Sequence, residues 1–110
     1  MEVALYVRVS TTRQQQTQTI EQQLARLRAH VATQPEWHLA EDHIDRDDGY
    51  SGAKLNRPGL DRLRDRAALA AFERVLLTAP DRLARNYVHQ ILLIEELAQR
   101  GCEVEFLDRP

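Results

Sequence analysis

An arginine and a serine stand two residues apart at the end of the first apolar segment, in the stretch YVRVS. Alternate side chains of a β-strand share a face, so Tyr6, Arg8 and Ser10 point the same way and a guanidinium lies beside a hydroxyl. The simplest interpretation is that Arg8 extends to the surface and Ser10 begins a turn. The chemical alternative is a phosphate site, and the remaining arginines decide between the two.

Further arginines occur in two polar segments that also follow predicted strands. PDRLARN carries Arg82 and Arg85, and if residues 82–86 begin a helix, both guanidiniums lie on one face at its N-terminus. Two cations there oppose the helix dipole and repel each other unless an anion lies between them. Arg57 ends the loop 45–58. With Arg8 these make four arginines around Ser10, a set suited to a phosphate whose negative charge grows during substitution.

Other chemistries fit the sequence less well. Ser10 lacks the Gly-x-Ser-x-Gly elbow of hydrolases, and no glycine-rich loop precedes a Lys-Ser/Thr pair. The acidic run of Asp45, Asp47 and Asp48 misses the spacing of a calcium loop and favours a capping turn. We therefore predict neither a metal nor a cofactor.

The apolar periodicity predicts an α/β fold in which four strands alternate with three helices. Strands are expected at 2–9, 37–44, 73–79 and 103–108. Helices are expected from a capping box at Thr19 to before Pro35, and over 59–71 and 87–100, with loops at 11–18 and 45–58. The expected core residues on these helices are Ile20, Leu24, Leu27, Val31, Leu60, Leu63, Leu69, Ile91, Ile94, Leu97 and Ala98. Short connections imply a parallel sheet with helices on both faces, and the polar segments then meet at its carboxyl edge.

Composition sets the broad class. The chain has 110 residues, 43% hydrophobic and 29% charged, which predicts a single globular domain. No apolar run reaches membrane-spanning length, MEVALYV lacks the form of a signal peptide, and the lone Cys102 suits a reducing cytoplasm. A net charge of −2 argues against broad adhesion to nucleic acid, although 14 of the 15 basic residues are arginine, which binds phosphate bidentately.

Four collinear stretches resemble the catalytic domain of the serine recombinases, the resolvase/invertase superfamily. They are YVRVSTTRQ, TIEQQLARLRAH, DGYSG with NRPGLDRL, and PDRLARN, and the resemblance runs from residue 3 to the C-terminus. The forms GYSG, NRPG and FLDRP are most similar to the large serine recombinase or transposon-associated branch. The resemblance implies a three-layer resolvase-like fold. It also implies attack of the serine on a DNA phosphodiester, giving a 5′-phosphoserine link and a free 3′-hydroxyl, followed by strand exchange and religation.

The resemblance also assigns roles to residues. Ser10 matches the nucleophile, and Arg8, Arg82 and Arg85 match the active-site arginines, with Asp81 as the aspartate of their motif. Supporting or phosphate-binding roles fall on Gln14, Gln23, Asp48 and Arg57. Either neighbouring glutamine, Gln15 or Gln16, can replace Gln14, and Asp47 can replace Asp48.

Family members continue beyond this domain into a long dimerisation helix and DNA-binding domains, whose patterns are not found in residues 1–110. The expectation is a fragment of a longer recombinase, or a truncated remnant, with DNA as partner and a dimer that assembles into a tetramer in the full-length protein. The fragment itself is expected to be monomeric or weakly dimeric. A noncatalytic α/β assembly module is the alternative.

The clustered arginines also lead to an expectation about the free state. Like charges repel by about 1 kcal/mol per close pair in water. Because the loops offer little apolar burial to oppose this, the arginines of the DNA-free chain are expected to turn into solvent. Ser10 is then expected to lie away from at least one of them.

Overall fold

The computed structural model describes residues 1–11 and 18–108. Four strands and four helices lie in these ranges: β1 (Glu2–Val9), α1 (Ile20–Ala32), β2 (His38–Asp48), α2 (Pro58–Ala68), β3 (Arg74–Leu77), α3 (Pro80–Leu83), α4 (Tyr87–Gln99) and β4 (Glu103–Phe106).

The strands form one parallel sheet in the order β2-β1-β3-β4. Strand β1 is central and buried on both faces, as its continuous apolar sequence predicts. One core packs Tyr6 of β1 and Val75 of β3 against α2 and α4, and the other packs Val7 and Leu76 against α1. The predicted α/β class, with helices on both faces of a parallel sheet, is confirmed.

Local signals explain where the helices begin. Thr19 caps α1, and its side chain and that of Gln22 form the predicted capping box. Pro58 opens α2, where the Asp47 carboxylate accepts the amide protons of Gly59 (2.7 Å) and Leu60 (2.9 Å). Asp47 of β2 therefore caps α2, whose own N-cap residue, Arg57, makes no side-chain capping hydrogen bond.

Two predicted boundaries at the carboxyl edge are wrong. Strand β2 continues to Asp48, which pairs with Val9, so the loop predicted over 45–58 begins only at Gly49. Pairing with β1 outweighs the low β-propensity of the acidic residues. The helix predicted over 87–100 is present as α4, but residues 82–86 do not begin it. Residues Pro80–Leu83 form the short α3, Ala84 is extended, and Asn86 caps α4, so Arg82 and Arg85 do not share a helix face.

Three predicted core residues are also wrong. Leu69 is 80% exposed, since α2 ends at Ala68 and the chain turns away through Ala70, whose φ is +57°. Ile91 and Ala98 are exposed, because α4 turns Leu93 and Leu97 toward the sheet instead. Within the described ranges, no helix has the length and apolar character needed to cross a membrane.

Candidate active site

Arg8 is a buried arginine whose hydrogen-bond partners are main-chain carbonyls. Nε donates to Arg82 O (3.1 Å), Nη1 to Tyr50 O (2.9 Å) and Nη2 to Asp81 O (2.6 Å). The residue is only 2% exposed. Burial lowers the pKa of Arg8 to about 10, and the charges of Arg57 and Arg82 act in the same direction. The guanidinium therefore has neutral hydrogen-bond acceptors and two positive charges close by, while the charge of Asp81 acts in the opposite direction.

Arg57 occupies the adjoining position and is completely buried. Nη1 donates to the hydroxyl of Tyr6 (3.2 Å) and to Arg82 O (3.4 Å), and Nη2 donates to Leu83 O. Three consecutive carbonyls of α3, those of residues 81–83, thus accept hydrogen bonds from Arg8 or Arg57. The two arginines fix the short helix that carries Arg82.

Tyr6 joins this cluster to strand β2. Its hydroxyl donates to the Asp47 carboxylate (2.6 Å), and burial raises the pKa of the phenol far above its ordinary value. The phenol therefore stays protonated and accepts from Arg57 while it donates to Asp47. Asp47 is engaged by Tyr6 and by the start of α2, whereas Asp48 is exposed at the end of the strand. The structure thus gives Asp47 a structural role and leaves Asp48 open to solvent.

The main chain of Arg8 is held from two sides. Arg82 Nη1 donates to Arg8 O (3.1 Å). The side-chain amide of the fully buried Gln23 donates to the same oxygen (3.0 Å) and accepts from Arg8 N (3.4 Å). Gln23 therefore fixes the main chain of β1 at a point two residues before Ser10.

Ser10 opens onto a cleft of about 580 Å³ between the end of β1, the end of β2 and the start of α1. Its lining residues are Val9, Ser10, Thr11, Thr19, Ile20, Glu21, Asp48 and Gly49. The serine is partly exposed there, and Val9 O accepts from the amides of Gly49 (2.9 Å) and Tyr50 (3.1 Å), which fixes the end of the strand. The arginines that the sequence places around Ser10 do not line this cleft.

The predicted site residues therefore fall into two groups and two outliers. Arg8, Arg57 and Arg82 form the arginine cluster with the carbonyl of Asp81, whose residue is exposed, and with Gln23 behind them. Ser10 and Asp48 line the cleft. Arg85 is exposed, and Gln14 lies outside the described residues.

The expectation that the arginines turn into solvent is wrong for three of the four. Arg8, Arg57 and Arg82 are buried, and only Arg85 is exposed. The repulsion among them is offset by hydrogen bonds to charged donors, which are stronger than neutral ones. The carbonyls of α3 and of residue 50 supply the acceptors for Arg8.

Two contributors were missed at the level of sequence. Tyr6 shares a strand face with Arg8, and that spacing was a signal that it belongs to the cluster. Gly52 is buried, and a Cβ placed on it would lie 2.6 Å from Arg8 Nη2 and 3.0 Å from Arg85 Cγ. No spacing rule identifies such a close approach.

Known proteins share this fold and sequence pattern. The family model described as Resolvase, N terminal domain matches residues 3–110. A protein named as a DNA recombinase in Bacillus subtilis (strain 168) is 33% identical over 107 residues, which is 96% of this chain and 20% of that protein. The chain thus spans about a fifth of that relative's length.

Solved structures agree with this assignment. The N-terminal catalytic domain of TP901-1 integrase matches with a TM-score of 0.86 and 30% identity, over 97% of this chain and 77% of that one. The C-terminal catalytic domain of ISC1926 TnpA, an IS607-like serine recombinase, matches with a TM-score of 0.81 and 26% identity, over 97% of this chain and 70% of that one. The chain belongs to the resolvase N-terminal domain family and is a catalytic domain of the serine recombinase type.

Proposed function

We propose that this domain cleaves and rejoins DNA, with Ser10 as the nucleophile. The Ser10 oxygen forms a bond to a backbone phosphorus, the bond from phosphorus to the 3′ oxygen breaks, and the hydroxyl proton leaves as the 3′ oxygen gains one. The product is a 5′-phosphoserine link and a free 3′-hydroxyl. After strand exchange the 3′-hydroxyl attacks the link, which releases Ser10 and reseals the strand.

The observation that carries the proposal is the arginine cluster beside the end of β1. Arg8 and Arg57 are buried and donate to main-chain carbonyls and the Tyr6 hydroxyl, none of which carries a full negative charge. Such a site favours an added anion, and a phosphate in substitution gains charge as it reacts. Ser10 follows Arg8 by two residues, immediately after β1 ends at Val9.

The other site residues take supporting roles in the proposal. Arg82 and the exposed Arg85 bind the phosphate oxygens, and Asp81 and Asp48 are exposed carboxylates within the same edge of the sheet. Gln23 holds the main chain of Arg8 and so positions the strand end. Gln14 completes the set as a phosphate-binding residue.

Replacement of Ser10 tests this function directly. In the full-length protein, Ser10→Ala should lower the yield of covalent DNA–protein adduct on cognate sites by about a thousandfold or more. Thr33→Ala is the control, since Thr33 is an exposed hydroxyl residue at the C-terminal end of α1, where it donates to His30 O (2.6 Å). A protease-sensitive adduct formed by the Ser10→Ala protein would refute the proposal.

A noncatalytic assembly module is the second candidate, and one observation favours it. Each nitrogen of the Arg8 guanidinium already donates to a carbonyl, as in an arginine kept for structure alone. Recovery of recombination by the full-length protein separates the two functions, because a module kept for assembly supports no exchange of strands.

Assembly on DNA is part of the same proposal. Tyr87, Val88 and Leu92 on α4 are 71%, 60% and 55% exposed and form an apolar surface. In the full-length protein this surface supports a homodimer that assembles into a tetramer on DNA. The 110-residue chain, with its net charge of −2, is expected to bind DNA weakly and to remain monomeric or loosely dimeric.

A further inference from the structure

The segment 49–52 lies against the guanidinium of Arg8. Tyr50 O accepts from Nη1 at 2.9 Å, and Gly52 leaves so little room that a Cβ would lie 2.6 Å from Nη2 and 2.9 Å from Cζ. The segment is in turn tied to the chain after α3, where Arg85 N donates to Gly52 O (3.0 Å). Arg8 is thus enclosed between α3 and segment 49–52.

Within residues 1–11 and 18–108, this enclosure obstructs bidentate binding of a phosphate to Arg8. A guanidinium has five N–H bonds, and Arg8 directs one from each nitrogen to a carbonyl. The residue is 2% exposed, so little of the guanidinium is open to solvent. A phosphate can bind Arg8 only if it replaces carbonyls, and this requires segment 49–52 or α3 to move.

Segment 49–52 is the part of the enclosure that can move at lower cost. Besides the contact of Tyr50 O and the buried Gly52 with Arg8, its described hydrogen bonds to residues outside 49–54 are few: Gly49 and Tyr50 donate to Val9 O at 2.9 and 3.1 Å, and Arg85 donates to Gly52 O. The Tyr50 side chain is 39% exposed. In contrast, α3 is fixed by Arg57 and contributes the buried Leu83 to the core. Segments with few buried apolar contacts open most readily.

We propose that segment 49–52 is an autoinhibitory contact, which occupies Arg8 through Tyr50 O and Gly52 and must withdraw before Arg8 can bind a phosphate. The inference rests on the proposed function for the identity of the anion. It explains how one arginine can be structural in the DNA-free domain and take part in the reaction on DNA.

The test follows the Nε–H of Arg8 by NMR in the 110-residue chain, which contains the whole enclosure. In the unsubstituted chain this proton should exchange with water about tenfold or more slowly than that of the exposed Arg100, and inorganic phosphate should leave its signal unchanged. In Gly52→Ala the added methyl displaces the guanidinium, so exchange should approach that of Arg100 and phosphate should shift the signal.

Gly49→Ala is the matched control. It makes the same change in the same segment, but Gly49 has a φ of +85° and a Cβ there would lie 3.7 Å from Thr11 Cγ2 and would not approach Arg8. This variant should lower the melting temperature through backbone strain while Arg8 stays protected. Equal acceleration of exchange in both variants would show general loosening and overturn the proposal, as would unchanged protection in Gly52→Ala.

The unsubstituted chain decides the matter if Gly52→Ala does not fold. A shift of the Arg8 signal on addition of phosphate, or exchange as fast as that of Arg100, would show that the contact does not exclude an anion. These measurements involve no DNA cleavage. If the Arg8 Nε–H is unprotected but the adduct still depends on Ser10, only this inference is refuted. If the Nε–H is protected as expected but the adduct does not depend on Ser10, only the proposed function is refuted.

Discussion

Arginines lie at both edges of the sheet, but their partners differ. At the amino edge Arg74 donates to Glu105 (2.6 Å) and Glu103 (2.7 Å), and its guanidinium lies 5.3 Å from the centre of the Trp37 ring. At the carboxyl edge Arg8 and Arg57 donate to carbonyls and to a tyrosine hydroxyl. At the amino edge the arginine is paired with two carboxylates, whereas at the carboxyl edge the arginines are surrounded by uncharged hydrogen-bond acceptors.

The difference separates a structural arginine from one that can bind a ligand. A carboxylate cancels the charge of Arg74, so little attraction for a further anion remains. Carbonyl dipoles and the Tyr6 hydroxyl accept from Arg8 and from the Nη atoms of Arg57, whose Nε has no acceptor among the described residues, and these dipoles leave both charges in place. A buried charge without a hydrogen-bonded carboxylate is costly, and such arrangements are found often at functional sites. The carboxyl edge is where this fold class places its ligands.

Truncation of one arginine at each edge should give the largest contrast in stability. Arg57→Ala leaves a cavity and removes the hydrogen bonds to the Tyr6 hydroxyl, Arg82 O and Leu83 O, and should lower the free energy of unfolding by about 3 kcal/mol or more. Arg74→Ala breaks partly exposed ion pairs and should cost about 1 kcal/mol. Urea denaturation of the 110-residue chain measures both, and equal losses would show that the two edges do not differ as described.

Neighbouring aspartates sharpen the comparison within the carboxyl edge. Asp47→Asn turns one accepting oxygen into a donor facing Tyr6 or the start of α2, and should cost about 2 kcal/mol of stability. Asp48→Asn alters an exposed side chain and should change stability by less than about 0.5 kcal/mol while lowering adduct formation by the full-length protein. Loss of stability in Asp48→Asn, with none in Asp47→Asn, would reverse the roles assigned to this pair.

Sequence reasoning predicts the layers of the fold because their signals are local. The apolar run of β1 indicates a central strand, and Thr19 with Gln22 marks the start of α1. The order of the strands also predicts that Arg8, Arg57 and Arg82 come to one edge. Strand burial and helix starts can be predicted because they follow from the spacing of apolar residues and from capping residues, both of which are visible in the sequence.

The burial of the arginines could not be predicted in the same way. It depends on the carbonyls of residues 81–83 and of Tyr50, and every residue type has a carbonyl. The short helix α3 could not be predicted either, because its carbonyls bind Arg8 and Arg57 from distant parts of the sequence, whereas the start of α4 is marked locally by Asn86. Tertiary hydrogen bonds of this kind override the propensity of the local segment.

Asp45 allows a further test, with a smaller expected effect, of how burial changes the pKa of a carboxyl that lies beside arginines. It is almost fully buried, and Arg62 and Arg66 each donate to Oδ1 at 3.3 Å, yet burial outweighs them and raises its pKa above the ordinary value of 3.8. Arg64 instead lowers the pKa of the more exposed Glu96. A neighbouring guanidinium therefore does not by itself decide the direction of the shift.

The two carboxyls should give opposite pH profiles. With a folded pKa above the unfolded one, Asp45 binds its proton more tightly when folded, so its contribution to stability falls as the pH rises between the two values. Glu96 contributes stability that is lost as the pH falls through its lowered pKa. Urea denaturation from acid to neutral pH, with Asp45→Asn and Glu96→Gln as references, measures both contributions, and slopes of the same sign would contradict the assignment.

Removal of divalent metal should have the smallest effect, because guanidiniums supply the positive charge at the carboxyl edge. Both oxygens of Asp47 are already engaged by Tyr6, Gly59 and Leu60, so this carboxylate is not available as a metal ligand without uncapping α2. The guanidiniums of Arg8, Arg82 and Arg85 can instead stabilise the negative charge that develops on the phosphate. Adduct formation by the full-length protein in excess EDTA should therefore stay within about twofold of its rate with magnesium, while Arg82→Ala should be impaired under both conditions. Complete loss of the adduct in EDTA, restored by magnesium, would mean that the arginines do not suffice.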